Sequence, residues 1–401
     1  MSSYTWKIYM LTAANFLVGT SEYIIAGILD KVAADLGVSV SAAGQLITVF
    51  SLAFAIGTPI LMATTSRLDR RNLLLYSLGI FVVGNAVAFL LPGFTFLIAS
   101  RVILALGTGV FFVTAMTVAS KLAPPEKQGS AIATIVMGFS TSLIVGVPIG
   151  RVVASFYDWK MVFGGIGILA LFAILAVFLW IPKSEGEEAI PIGQQLALLK
   201  EPRIVVALMI TLFLLTGYAI AYTYITPFLL TITGMSEQEV SIGLFAFGIA
   251  SLVGSKFGGY SSDKWGVYPT LFGGMLVQAI ALVLIFIAGQ SPVFMLPLLV
   301  LWSFSAWTSG PTQQFNLVQQ APEAAGVMLS LNSSVLQLAM AAGAGIGGVV
   351  VEQVSLASIS WIGAAGVIVG AATAAVSLRL SRSEARRKAE KASSKGGIML
   401  E

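Results

Sequence analysis

Long apolar runs, each about 20 residues or more and each closed by a polar or Gly/Pro-rich cluster, recur along almost the whole chain. A ~30 Å hydrocarbon core is crossed by about 20 apolar residues at ~1.5 Å rise each, so every run predicts a membrane-crossing helix. The runs fall at 8–30, 42–65, 73–92, 95–120, 129–154 and 161–182, then at 204–231, 238–260, 269–289, 293–318, 324–351 and 356–380. Twelve such spans predict an all-α integral membrane fold in two six-helix halves. The first run carries Glu22 and lacks a small-residue cleavage pattern, so it is expected to be retained. Residues 183–203 are the most polar internal stretch and are expected to form a cytoplasmic linker between an N-terminal half, 1–182, and a C-terminal half, 204–380. Residues 381–401 form a basic tail whose end resembles an expression remnant.

Composition sharpens this picture. The chain is 57% hydrophobic and 10% charged, against about 25% charged in a soluble domain. It has no cysteine and no histidine, so disulfides, thiolate metal sites and imidazole acid/base chemistry are excluded and any proton chemistry falls to carboxylates. The net charge of +4 would suit nucleic acid, but the basic residues sit in alternate loops: Arg67, Arg70 and Arg71, then Lys121 and Lys127, the linker bases, Lys264 and the tail. That is the positive-inside pattern of a plasma-membrane protein with both termini cytoplasmic, and it argues for lipid rather than nucleic acid beside the chain.

An internal repeat is visible at an offset of 197 residues. It carries Ser66 to Arg70, after span 2, onto Asp263 to Val267, after span 8, and Gly146 and Gly150 of span 5 onto Gly343 and Gly347 of span 11. Two related halves rocking about a midplane site are one way to build a transporter.

Charges within spans are costly and mark function, and by these boundaries only Glu22 and Arg101 are deep. Both lie about 9 Å below the outer boundary at ~1.5 Å per residue. An acid and a base at one level could form a salt bridge, and a carboxylate that alternates between that partner and an apolar cavity can load and release a proton. The offset places Ala219 and Leu298 at the corresponding positions of the second half, so the proton site is one-sided.

Uncharged polar residues within spans are the candidates for solute contact: Gln45, Gln313, Gln314, Asn316, Asn332 and Gln337. Amides both donate and accept, which suits ligands with mixed edges, and they equally suit bridging between helices. Tyr218, Tyr222 and Tyr224 in span 7, with Trp302 and Trp307 in span 10, could stack on a planar ligand. Gly146, Pro148 and Gly150 are candidates for conformational gating, with a bend expected at the proline.

Neither a phosphate-cradling loop with its lysine nor a nucleophile–base pair occurs, so an enzyme and an ATP-driven pump are both disfavoured and no cofactor or metal is expected. Ser66 to Arg71, the second copy Gly259 to Gly266, Arg101 with Gly107 and Gly109, and Gly146-Val147-Pro148-Ile149-Gly150 resemble motifs of the major facilitator superfamily, in its twelve-span drug:proton antiporter branch. The resemblance implies that Arg101 takes part in proton coupling with Glu22, and that Arg67, Arg70, Asp263 and Lys264 gate the inner loops. Gly44-Gln45-Leu46, Pro311 to Gln314 and Leu331 to Gln337 are similar to bacterial purine base and nucleoside efflux permeases. The chain is therefore expected to work as a monomeric exporter of a small organic solute in exchange for protons. Purine bases or nucleosides come first as the solute, lipophilic drugs second and sugars third; a non-transporting sensor is the rival class.

Overall fold

Without water, the backbone of a membrane span has to bond within itself, and these runs accordingly form helices. The computed structural model describes residues 3–124, 127–184, 197–321 and 325–396, among which there is no strand. The polar centre of the expected linker and the last tail residues lie outside this set.

The first span breaks: α1 (Ser3–Gly27) bends by 67° into α2 (Leu29–Leu36) at Ile28. Then come α3 (Val40–Thr64), α4 (Arg70–Leu90) and α5 (Phe94–Leu122). The fifth span is α6 (Gln128–Thr141), a π-helical segment Ser142–Gly146, and α7 (Val147–Phe156), and the sixth is α8 (Lys160–Trp180). The seventh is interrupted at Tyr224, between α9 (Pro202–Thr223) and α10 (Ile225–Thr231). It is followed by α11 (Glu237–Trp265), α12 (Val267–Ala288), α13 (Pro292–Gln320), α14 (Ala325–Gln353) and α15 (Ile359–Gly396). Among the described residues eleven helices are long and apolar enough to cross a bilayer, and the bent first pair taken as one span makes twelve. Large apolar side chains such as Phe156, Phe172, Ile287 and Val293 point outward, as a lipid-facing surface requires. With an even number of crossings both termini share one end of the bundle, here the termini end; the opposite end is the far end.

Local chemistry explains the irregular points. Pro148 has no N–H to donate one turn back, and the helix before it loosens into the π turn, where the Val147 N–H reaches the Ser142 carbonyl. The expected bend at the proline is therefore a change of winding just ahead of it. Gly146 and Gly150 bring this span onto α1: a Cβ at Gly146 would stand 2.2 Å from Thr20 Oγ1, and one at Gly150 2.3 Å from Ile24 Cδ1.

The first six spans meet the last six along two seams, α3 on α14 and the π segment with α7 on α11. Tyr224, at the break of the seventh span, fills the first seam, where Gly44, Gly347 and Gly348 leave room for its ring and its hydroxyl donates to Ala344 O at 2.9 Å. In the second seam a Cβ on Gly248 would stand 2.4 Å from Ile144 Cα, which no side-chain rotation can relieve. Gly248→Val is expected to cost about 2 kcal/mol through this overpacking, read as a lower unfolding temperature of the purified protein. Gly273→Ala, which meets nothing within 4 Å, should leave that temperature unchanged.

Candidate functional site

Glu22 lies five residues before the end of α1 and is 7% exposed, in a small cavity between the two sets of spans. The cavity is lined by Glu22, Tyr23, Ile47, Phe50, Arg101 and Tyr222, with Ala26, Ser51, Thr223 and Met340 closing it. The cavity has room for about one water and not for an organic solute.

The salt bridge that the sequence allowed between Glu22 and Arg101 is not formed. Arg101 is fully buried and its guanidinium turns to backbone, donating to Ser21 O at 2.8 Å, Glu22 O at 3.0 Å and, through Nε, Leu46 O at 3.5 Å. Its carbon lies 4.3 Å from the centre of the Phe50 ring. A helical carbonyl has a second lone pair to offer, so the carbonyls of α1 hold the cation and leave the carboxylate otherwise engaged. Glu22 Oε1 accepts from Gln337 Nε2 of α14 at 3.1 Å, and Glu22 Oε2 is buried without a partner. The acid in the first set of spans thus bonds to an amide in the second.

The other predicted contacts are distributed differently. Tyr222 lines the cavity, and Tyr218 stacks on it at 5.1 Å between ring centres. Trp302 and Phe247 pack around Tyr218, and Trp307 is half-buried against the same core. Gln313 donates to Ala207 O at 2.6 Å and to Thr211 Oγ1 at 3.1 Å, Asn316 donates to Gln313, and Thr211 donates to Asn332 at 2.8 Å. This amide cluster bridges α9, α13 and α14 away from the cavity lining. Gln314 is exposed, and Gln45 sits in the α3–α14 seam against Gly348. Among the gating candidates, Arg67, Asp263 and Lys264 are exposed and Arg70 is buried. Asp69, which the sequence reading gave no role, caps α4 through the Asn72 N–H and accepts from the Ser184 N–H at 2.8 Å.

The reading that only two charges are deep is also corrected, because Arg151 of α7 is fully buried. It donates to Gly27 O at 2.6 Å, at the break of the first span, and pairs with Asp30 at 2.9 Å and with Glu237 of α11 at 2.7 Å. Lys31 adds a second cation to Glu237 at 3.2 Å. These bonds tie the two sets of spans together at the far end, joined by Thr226 Oγ1 donating to Ala26 O at 2.8 Å. From the sequence Arg151 lies three residues inside the predicted limit of its span, a place where water is expected. The bent α2 and the start of α11 cover it instead.

A family model described as Major Facilitator Superfamily matches residues 11–344 and, in a second match, 227–399. The chain belongs to the Major Facilitator Superfamily. It is 56% identical over 367 residues to the MFS-type transporter YbcL of Bacillus subtilis (strain 168), covering 92% of this chain and 94% of that protein. YtbD of the same organism, also an MFS-type transporter, is 30% identical, covering 90% and 92%. Among solved structures, a bacterial homolog of the human lysosomal transporter Spinster, inward-facing and occupied, matches with TM-score 0.75 at 16% identity, covering 94% of this chain and 98% of that one. A D-xylose-proton symporter matches with TM-score 0.75 at 17% identity, covering 93% and 97%. The chain is thus a multi-pass membrane transporter of the major facilitator fold, and not an enzyme.

Removing Arg151 leaves Asp30 without its cation and Glu237 with Lys31 alone, and loosens the far end. Arg151→Leu is expected to lose about 3 kcal/mol of stability, measured by thermal unfolding in detergent. Arg151→Lys, which keeps the charge but not the fork that reaches three acceptors, should recover only part of it.

Proposed function

We propose that this transporter exchanges protons for a small organic solute by alternating access, with Glu22 as the proton carrier. The observation that carries the reading is the placement of Glu22: a buried carboxyl in the cavity between the two sets of spans, without a cation on it and with one oxygen unpartnered. Buried ionisable groups in a membrane protein are costly and mark ion pathways. Arg101, held by backbone, fixes α1 against α5 and keeps a positive potential beside the acid. The fold shared with a D-xylose-proton symporter is consistent with proton coupling.

The positive-inside pattern supports cytoplasmic termini in the plasma membrane, so that the far end, closed here by Arg151, Asp30, Lys31 and Glu237, faces outward. Arg67, Arg70, Asp263, Lys264 and the Gly146–Gly150 segment then serve the inner loops and the α1–α7 contact during rocking. The protein works as a monomer in this reading. The solute enters when the halves part.

A purine base or nucleoside is the favoured solute, on the similarity of Gly44 to Leu46, Pro311 to Gln314 and Leu331 to Gln337 to purine efflux permeases and on the aromatic rings of Phe50 and Tyr222 about the cavity. The largely apolar lining by Ile47, Phe50 and Met340 favours a second reading, export of lipophilic drugs. Thermal stabilisation by nucleobases and nucleosides against chloramphenicol-like drugs and sugars separates the two. In proteoliposomes with an imposed pH gradient, Glu22→Gln is expected to abolish gradient-driven transport while leaving solute binding and yield unchanged. Unaltered coupling in that variant would refute the proposal.

A further inference from the structure

Gln337 was singled out for solute contact, yet its amide is turned to Glu22 across the junction of the two sets of spans. One bond joins the pair, Gln337 Nε2 to Glu22 Oε1 at 3.1 Å. The remaining polar atom of each group, Glu22 Oε2 and Gln337 Oε1, is buried and has no partner. Two orphan acceptors on one bonded pair are unusual, because buried polar atoms are nearly always satisfied and a stranded one costs more than the bond it lacks. Each group is planar, and each orphan is attached to the carbon that carries the bonded atom. A single proton on Glu22 Oε2 supplies the missing donor, since a protonated carboxyl gains one O–H while keeping acceptor capacity. It can then give that hydrogen to Gln337 Oε1 while Gln337 Nε2 gives its own to Glu22 Oε1.

We propose that Glu22 and Gln337 form one proton site split between the two halves, in which protonated Glu22 and the Gln337 amide close a paired hydrogen bond that holds the far end shut. This rests on the reading of Glu22 as proton carrier and adds a positioning residue to it. The charged and titratable groups facing Glu22 are Arg101 of α5, Tyr23 beside it on α1 and Tyr222 of α9. From α3 the cavity meets Ile47, Phe50 and Ser51, and from α14 Met340 besides Gln337, none of which titrates. The π segment, Ser142 to Gly146, has no ionisable side chain. Arg151 of α7 is turned toward Gly27 and Asp30, nearer the far end. Because the amide rides on the opposite half, the pair exists only while the halves are docked. Proton binding and far-end closure are then one equilibrium, each favouring the other by the same factor.

The native chain has no cysteine, so spin labels can be placed at will. Ala34→Cys on α2 and Val354→Cys after α14 put one label on each half at exposed far-end positions. Distances between them are measured by pulsed electron resonance in lipid nanodiscs across a pH series. The short-distance population should rise as pH falls, lose all pH response in Glu22→Gln, and shift its midpoint down by about one unit in Gln337→Met, a tenfold weaker hold on the proton that follows from about one lost hydrogen bond. Gln337→Met keeps the volume of the side chain; should it fail to fold, Gln337→Asn, whose amide falls short of the acid, is expected to shift the midpoint the same way. A midpoint unmoved or raised by the Gln337 change, with Glu22→Gln still flat, overturns the shared site and leaves Glu22 as carrier. A wild-type protein without a pH response, or a Glu22→Gln protein that keeps it, overturns the reading of Glu22 itself.

Discussion

A cation enclosed by hydrocarbon has to find its partners inside the protein, and Arg101 finds them in the backbone of α1. That choice governs what surrounds it. By spending its donors on the carbonyls of Ser21, Glu22 and Leu46, and resting its face on Phe50, the arginine locks three spans of the first half together. It also leaves the nearby carboxyl without a permanent counterion. A direct salt bridge would satisfy the acid within its own half, whereas this arrangement turns it toward the cavity and the amide of the other half.

Far-end closure follows from the same economy of partners. The two broken spans, at Ile28 and Tyr224, put backbone and side chains where the halves meet: Gly27 O takes Arg151, and Thr226 reaches Ala26. Arg151 is neutralised by one acid from its own half and one from the other, so a single buried guanidinium spans the junction. Close glycine contacts at Gly248 and around Tyr224 let the helices approach without side chains between them. Ionic, amide and steric contacts between the halves are thereby stacked from the cavity to the far end.

The fold was largely legible in the sequence, because a bilayer imposes the length and polarity of each span so strongly that hydropathy alone places the helices to within a few residues. The breaks at Ile28 and Tyr224 lie 196 residues apart, close to the 197-residue offset read from the sequence. Gly27 and Asp30 beside Ile28, and Pro227 three residues after Tyr224, stand at these breaks, but the apolar runs continue across both and the breaks were not foreseen. Depth was readable for Glu22 and Arg101 but their pairing was not, since a helical carbonyl competes for an arginine invisibly at the level of sequence. Arg151 was missed for a related reason: its partners, Asp30 and Glu237, come from elements remote in the chain, and only their convergence buries it. For amides the pattern shows that Gln313 and Asn332 need partners, and the fold decides that those partners include Ala207 and Thr211.

The central claim, that the buried carboxyl of Glu22 gains and loses a proton, is tested most directly by infrared difference spectroscopy between acid and alkaline pH. A carbonyl band of a protonated carboxylic acid in dry surroundings should appear on acidification of the wild-type protein and be missing from Glu22→Gln. The same band persisting in that variant, or no such band in the wild type, would contradict the account.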